Sequence, residues 1–314
     1  MSKFLSSQSA FRVLGLFGPT AAGKSELAHL AALALGGEIV VCDPFQRYRG
    51  LEIAADAPSA RDRAAVRYHM VSDLDLSEGS TAGDFAVVAR ERVDDVLARG
   101  HVPIVAGGTG LYLRLALTDV EMPPPVDEAI RAGVESLVND DLDGARAELQ
   151  RLDPERASRV DLANPRRVAR ALEIARSTPT ASPHDELWTA PMRHPTLLVG
   201  VTRPMSVLSE RIAARVDREL SDGLAAELRA RRERGDRHRA VDQIIGVREI
   251  AALDSGEMAP GDLPAALAQR TRRLARKQLT WLRKLPGLVQ LDLGEESAAE
   301  SLDVLLAGWR GGSL

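Results

Sequence analysis

A lysine and a serine end a glycine-rich stretch that could bind phosphate. Residues 18–25 read GPTAAGKS and fit the pattern G-x-x-x-x-G-K-[ST] of a phosphate-binding loop. Backbone N–H groups in such a loop turn towards one anion, Lys24 adds a positive charge, and the Ser25 hydroxyl can bind Mg²⁺. The apolar strand pattern before it and the helical spacing after it favour a phosphate site over a plain turn. The predicted diphosphate-binding residues are Gly18, Pro19, Thr20, Ala21, Ala22, Gly23, Lys24 and Ser25.

Asp43 is a carboxylate placed where a ligand site is expected. It directly follows an apolar strand pattern at 38–42, and ligands of parallel α/β sheets bind beyond the carboxyl ends of the strands. There it could accept a proton or hold Mg²⁺, although a capping or turn aspartate fits this feature equally well. A second glycine-rich turn, GGTGLY at 107–112, follows another strand pattern and could supply further backbone donors.

Arginines supply the remaining chemistry. Arg211 and Arg215 lie four residues apart on a predicted helix, where one could stabilise a diphosphate leaving group. The run at 270–284 has seven cations and no acid, which is typical of a surface that binds a phosphate backbone. A second basic patch lies at 166–170. Solvated helix faces are the alternative for each group, and they fit the run at 270–284 least well.

Strand and helix patterns that alternate with short connections must position these residues. They predict a parallel sheet with helices on both faces. From 127 to 176 only helical patterns appear, so the α/β core is interrupted and then resumes. The expected fold class is α/β, a P-loop NTPase-like parallel sheet with helices on both faces and an inserted all-helical subdomain. The expected domains are a first part of the core at 12–118, a helical insertion at 119–194, and a second part of the core at 195–314.

Composition limits the possible partners. With 314 residues and a formal net charge of −4, the chain has no global positive charge for nucleic acid, so any such binding rests on local clusters. The single cysteine, Cys42, excludes an intrachain disulfide and is interpreted as a core residue. The sequence has neither a long apolar run nor a hydrophobic signal core. These features predict a cytoplasmic protein without a membrane partner.

Taken together, the motifs resemble one family, the tRNA dimethylallyltransferases or tRNA isopentenyltransferases. Their order and approximate spacing make the combination specific, although several pieces are weak alone. Besides GPTAAGKS and GGTGLY, the resemblance includes Asp43-x-x-Gln46-x-Tyr48-Arg49-Gly50, NPRRVARALE at 164–173, Arg211-x-x-x-Arg215 before Gly223-Leu224, Gln243-x-Ile245-Gly246, and Gln278-Leu279-Thr280-Trp281.

The resemblance implies a phosphate loop that binds dimethylallyl diphosphate, together with Mg²⁺, in the place where other phosphate loops bind ATP. It also implies a tRNA whose adenosine, just 3′ of the anticodon, is flipped into the site and becomes isopentenyladenosine. Asp43 would be the base, while Lys24, Thr109 and Arg215 complete the catalytic set and Ser25 binds the metal. The residues expected to contact tRNA are Asp43, Pro44, Phe45, Gln46, Thr109, Arg131, Arg166, Arg167 and Arg170, to which the cationic run adds Arg272, Arg273 and Arg276. A monomer is expected.

The chain departs from the family pattern only in the recognition loops. It reads Asp43-Pro44-Phe45-Gln46 for Asp-Ser-x-Gln, IAADAP at 53–58 for Ile-Gly-Thr-Ala-Lys-Pro, Tyr68-His69 for His-His, and Ser72 for an expected Asp. Three alternatives therefore stay open. They are a prenyltransferase for a free adenine nucleotide or another small acceptor, a small-molecule P-loop kinase, and a non-catalytic RNA-binding protein, although the intact Lys24, Ser25 and Asp43 oppose the last.

Overall fold

The computed structural model describes residues 11–123, 126–177, 186–235 and 241–311. Within them, six parallel strands form one sheet in the order β3-β2-β4-β1-β5-β6, so the strand that precedes the phosphate loop is central. The expected α/β parallel sheet is confirmed. The strands are β1 (Val13–Phe17), β2 (Gly37–Val41), β3 (Tyr68–His69), β4 (Val102–Gly107), β5 (Thr196–Thr202) and β6 (Val289–Asp292).

Helices connect the strands and make up the insertion. None of those described has both the length and the apolar character needed to cross a membrane. They are α1 (Lys24–Leu35), α2 (Ala60–Ala65), α3 (Ala82–Ala98), α4 (Gly110–Leu117), α5 (Glu128–Asp140), α6 (Leu142–Leu152), α7 (Pro154–Arg159), α8 (Pro165–Ser177), α9 (Glu186–Thr189), α10 (Met205–Ser221), α11 (Leu224–Glu233), α12 (Val247–Asp254), α13 (Leu263–Leu282) and α14 (Leu302–Gly311), with 3₁₀ turns at Val241–Gln243 and Pro260–Asp262.

Both faces of the sheet are buried, which is why its strands read as continuous apolar runs. On one face, Leu16 of β1 packs in a cluster with Leu27 of α1 and Leu305 of α14. On the other, Phe17 lies in a cluster with Phe85 of α3 and other apolar residues of α3 and α4. Cys42 belongs to this second cluster and is fully buried, so the interpretation as a core residue is confirmed.

The chain divides into two compact units. The first contains the residues up to Asp119 and from Trp188 onwards, and the second contains 120–187. The second unit has its own apolar core, to which α5, α6 and α8 each contribute, including Val134, Leu149 and Leu172. Residues 188–194, which the sequence assigned to the insertion, lie in the first unit, because Trp188 packs against Trp281 with ring centroids 5.0 Å apart.

The break predicted at Gly223 separates α10 from α11. Gly223 has φ 101°, in the left-handed region that favours glycine, and α11 begins at the next residue. The break turns the chain after α10, the helix that carries Arg211 and Arg215.

Candidate functional site

Three loops meet at one edge of the sheet because they follow three neighbouring parallel strands. The phosphate loop follows β1, Asp43 comes two residues after β2, and Gly108 directly follows β4. They line two adjoining cavities of about 510 and 410 Å³. The residues that line both are Lys24, Ser25, Glu26, Asp43, Gln46, Asp56, Gly108 and Arg218.

The phosphate loop has the backbone that its glycines predict. Gly23 has φ 94°, in the left-handed region, and α1 begins at Lys24. A Cβ atom on Gly18 would lie 2.5 Å from the backbone oxygen of Val201, so only glycine fits there. The loop thus ends at a helix N-terminus, where free N–H groups and the helix dipole favour an anion.

Three side chains from distant parts of the chain fix this loop. Gln278 Oε1 accepts a hydrogen bond from the backbone N–H of Thr20 at 2.8 Å. Arg211 Nε donates to the backbone oxygen of Ala21 at 2.8 Å. Arg203, which directly follows β5, donates to that of Ala22 at 2.9 Å. The sequence did not single out Arg203, although its position at the carboxyl end of a strand was a usable signal.

Buried Arg203 ties the loop to the segment after β6. Its two terminal nitrogens donate to the backbone oxygens of Gly294, at 2.8 Å, and Glu296, at 2.6 Å. Its side chain is only 4% exposed, and this burial lowers the pKa of the guanidinium. Arg203 therefore joins the phosphate loop to the segment after β6 through hydrogen bonds to backbone oxygens.

Arg215 lies beside the phosphate loop, where a diphosphate-binding arginine is expected. Its Nη1 donates to Thr20 Oγ1 at 2.8 Å and forms an ion pair with Asp56 at 2.9 Å, and its Nε bonds Glu219 at 2.6 Å. Asp56 also pairs with Arg218 at 3.1 Å. The sequence reasoning missed Asp56 and Glu219, because only the fold brings Asp56 to α10.

Lys24 and Asp43 lie between these loops, line both cavities and are partly desolvated by the protein around them. This desolvation lowers the pKa of Lys24 against the raising effect of Asp43 and Asp56. Desolvation also raises the pKa of Asp43, while a hydrogen bond from the Phe45 N–H at 2.9 Å and the charges of Lys24 and Arg215 act in the opposite direction. Asp43 is therefore a carboxylate with enhanced basicity, as a general base needs.

The second glycine-rich turn packs against α13. A Cβ on Gly108 would lie 2.3 Å from Gln278 Nε2, and one on Gly110 would lie 2.4 Å from Trp281 Cε3. Thr109, between them, precedes α4 and lines neither of the two cavities. Its expected catalytic part stays a prediction.

The loop after Asp43 lies at the rim of the cavities. Gln46 lines both of them, and its Nε2 donates to the backbone oxygen of Asp56 at 3.3 Å. Phe45 packs against a cluster that includes apolar residues of α10, α11 and α13, and Pro44 stands between Asp43 and Phe45. The contact of this loop with tRNA stays a prediction.

The cations of α13 divide into two groups. Arg270 pairs with Glu249 at 2.9 Å and is therefore already neutralised. The others on this part of the helix are partly or fully exposed and pair with no acid among the described residues. They are Arg272, Arg273, Arg276 and Lys277. The same helix contributes Thr271, Leu274 and Gln278 to the larger cavity.

The arginines of the insertion belong to the second unit. Arg131 pairs with Glu128 at 3.2 Å, Arg170 pairs with Glu173 at 3.0 Å, and Arg167 lies 3.8 Å from Asp161. These i,i+3 and near-surface pairs are weak, so a nucleic-acid phosphate can replace the acid. Arg166 lies in the first turn of α8. Their contact with tRNA stays a prediction.

A family model described as IPP transferase matches residues 46–285, more than half of the chain. The chain belongs to the IPP transferase family. The match begins after the phosphate loop and Asp43, so the two motifs that carry most of the predicted chemistry are independent of it.

Curated relatives in the IPP transferase family cover nearly the whole chain. The tRNA dimethylallyltransferase of Salinispora tropica is 36% identical over 95% of this chain and 93% of the relative. The tRNA dimethylallyltransferase of Anaeromyxobacter dehalogenans is 39% identical over 88% of this chain and 94% of the relative. The resemblance found in the sequence is thereby confirmed.

Solved structures show the same fold. The tRNA isopentenylpyrophosphate transferase of Bacillus halodurans has a TM-score of 0.71 and 28% identity, over 96% of this chain and 97% of that one. A eukaryotic dimethylallyltransferase described as acting on tRNA has a TM-score of 0.79 and 22% identity, over 96% of this chain and 80% of that one. At this identity the comparison shows the fold alone.

Proposed function

We propose that this member of the IPP transferase family transfers a dimethylallyl group from dimethylallyl diphosphate to the exocyclic amine of the adenosine 3′-adjacent to the anticodon in tRNA. The product is isopentenyladenosine. The observation that carries the proposal is that the base Asp43 lies in one cavity with Lys24 and Arg215 of the phosphate site. The names of the relatives support both substrates.

The reaction joins the two substrates across this cavity. The adenosine nitrogen attacks the first carbon of the dimethylallyl group, and the bond from that carbon to the diphosphate oxygen breaks. Diphosphate leaves with the bonding electron pair, and a proton of the amine passes to Asp43. Burial raises the pKa of Asp43, which makes it a better acceptor than an exposed aspartate.

The leaving group is stabilised by groups that are already in position. Free N–H groups of the phosphate loop, Lys24 and the Arg215 guanidinium face the larger cavity. Thr20 holds Arg215 at 2.8 Å, so the guanidinium needs little reorganisation when the negative charge develops. In this proposal Thr109 also belongs to the catalytic set, next to Gly108, which lines both cavities.

Mg²⁺ fits the oxygen donors of the cavity. The Ser25 hydroxyl lines it, and hard oxygens are what Mg²⁺ prefers. In the described part of the chain, no group of three or more His, Cys, Asp or Glu could hold a metal ion alone. Ser25 would hold the ion together with the diphosphate and water, and the ion would supply positive charge to the leaving group.

The exposed cations of α13 supply the affinity for tRNA. Arg272, Arg273 and Arg276 carry charges that no described acid neutralises, on a chain of net charge −4. The loop at 43–46 and the insertion, through Arg131, Arg166, Arg167 and Arg170, add the remaining contacts. The proposed enzyme is a monomer that acts in the cytoplasm.

Incubation with dimethylallyl diphosphate and an anticodon stem-loop, followed by nucleoside mass analysis, tests the proposal. We expect isopentenyladenosine, and none from a stem-loop carrying purine riboside, which lacks the amine. If AMP reacts faster than the stem-loop, the acceptor is a small molecule and not tRNA. Protection against heat by ATP but not by pyrophosphate would favour a kinase.

A further inference from the structure

Asp56 bridges two arginines of α10 beside the phosphate site. Its Oδ2 lies 2.9 Å from Arg215 Nη1, and its Oδ1 lies 3.1 Å from Arg218 Nη2. Asp56 and Arg218 line both cavities. The cationic groups that should face a diphosphate thus already hold a carboxylate.

The backbone of Asp56 is held by hydrogen bonds, while its side chain is partly exposed. Its N–H donates to the backbone oxygen of Ile53 at 3.1 Å, and its own oxygen accepts from Gln46 at 3.3 Å. The Glu227 carboxylate accepts the N–H groups of Ile53, at 2.9 Å, and Ala54, at 2.8 Å. The carboxylate can therefore leave the arginines by side-chain rotation alone.

Charge balance shows what the carboxylate does in the free protein. The cations Lys24, Arg211, Arg215 and Arg218 line the larger cavity together with the acids Glu26, Asp43, Asp56 and Glu219. These side-chain charges balance in number, so the attraction for a polyanion falls to the N–H groups of the phosphate loop and the N-terminus of α1. Of the two acids on Arg215, Asp56 is the more exposed, 39% against 14% for Glu219, and is therefore the one that a ligand can displace.

We propose that Asp56 is an internal counterion that occupies Arg215 and Arg218 in the free site and must be displaced by the donor's diphosphate, so that it lowers donor affinity and speeds diphosphate release. This inference rests on the proposed function.

Asp56→Asn is the variant that isolates the charge. Asp56 has φ 50°, in the left-handed region, which asparagine tolerates and most other residues do not. The amide keeps the shape of the carboxylate and removes its charge. Asp217→Asn is the matched control, because Asp217 is exposed on α10, the helix that carries Arg215 and Arg218, undergoes the same change of charge and lines neither cavity.

We expect Asp56→Asn to bind inorganic pyrophosphate about tenfold more tightly, because the carboxylate that competes for Arg215 and Arg218 is gone. The KM for dimethylallyl diphosphate should fall in parallel, and kcat should fall if release of pyrophosphate limits turnover. Asp217→Asn should match the wild-type protein in all three. A thermal melt of each variant verifies that it is folded.

Unchanged or weaker pyrophosphate binding by folded Asp56→Asn would overturn the inference. Weaker binding that is restored by more Mg²⁺ would instead make Asp56 a metal ligand. Failure of the proposed function looks different, because the wild-type protein would then neither bind pyrophosphate nor transfer a dimethylallyl group to the stem-loop.

Discussion

The side-chain oxygen of Gln278 accepts the backbone N–H of Thr20 at 2.8 Å, across 258 positions of the sequence. The same side chain packs so closely on Gly108 that no Cβ would fit there. Gln278 therefore holds both glycine-rich loops from one helix, α13, which also carries the exposed cations. Because Gln278 occupies the N–H of Thr20, an anion must use the N–H groups further along the loop.

Asp43→Asn should abolish transfer while leaving the donor site intact. The amide cannot accept the proton of the amine, so turnover should fall by about 10²-fold or more. Pyrophosphate affinity, measured by calorimetry, should change little, because Asp43 lies beside the phosphate loop and not within it. Exposed Asp95→Asn is the control. Lost affinity with retained turnover would contradict the role of Asp43 as base.

The pH dependence of kcat/KM should report the raised pKa of Asp43. The base must be ionised, and burial raises its pKa above the ordinary aspartate value of 3.8, so activity falls with decreasing pH while exposed carboxylates are still ionised. A rate profile between neutral and acidic pH, with stability checked at each point, measures this limb. A rate that stays level down to the ordinary aspartate range would rule out a raised pKa.

Arg215→Ala should lower turnover by about 10²-fold, because a main contact to the leaving diphosphate is lost. Arg229→Ala removes the same side chain from a surface pair with Asp254, outside both cavities, and should leave turnover unchanged. Single-turnover kinetics at saturating donor measure the chemical step. Equal rates for the two variants would show that Arg215 does not stabilise the leaving diphosphate.

Replacement of Arg272, Arg273 and Arg276 by glutamine should weaken tRNA binding and its salt dependence together. Each lost phosphate contact should reduce the slope of log affinity against log salt by about one, because fewer counterions are released. Binding of an anticodon stem-loop at several salt concentrations measures the slope. A triple change at Arg92, Arg229 and Arg232, which are paired with acids, is the control. An unchanged slope would mean that the three arginines are only solvated.

Local patterns predicted the strands, the glycine loops and the break at Gly223, because each depends on neighbouring residues. Local patterns could not predict which side chains hold the phosphate loop, because Arg203 and its partner Ala22 are 181 positions apart. The same limit explains Arg270, which looked like a free cation until the fold paired it with Glu249.

Thr118 and Met192 form an antiparallel bridge, and the N–H of Arg193 donates to the backbone oxygen of Leu117 at 2.9 Å. The chain therefore leaves the core for the insertion and returns at the same point. The core is closed by its own hydrogen bonds whatever lies between, and lengthening a loop whose ends already meet costs little entropy. The insertion can therefore be exchanged while the core keeps its shape. Under the proposed function, such an exchange would alter tRNA recognition without rebuilding the prenyl-transfer centre.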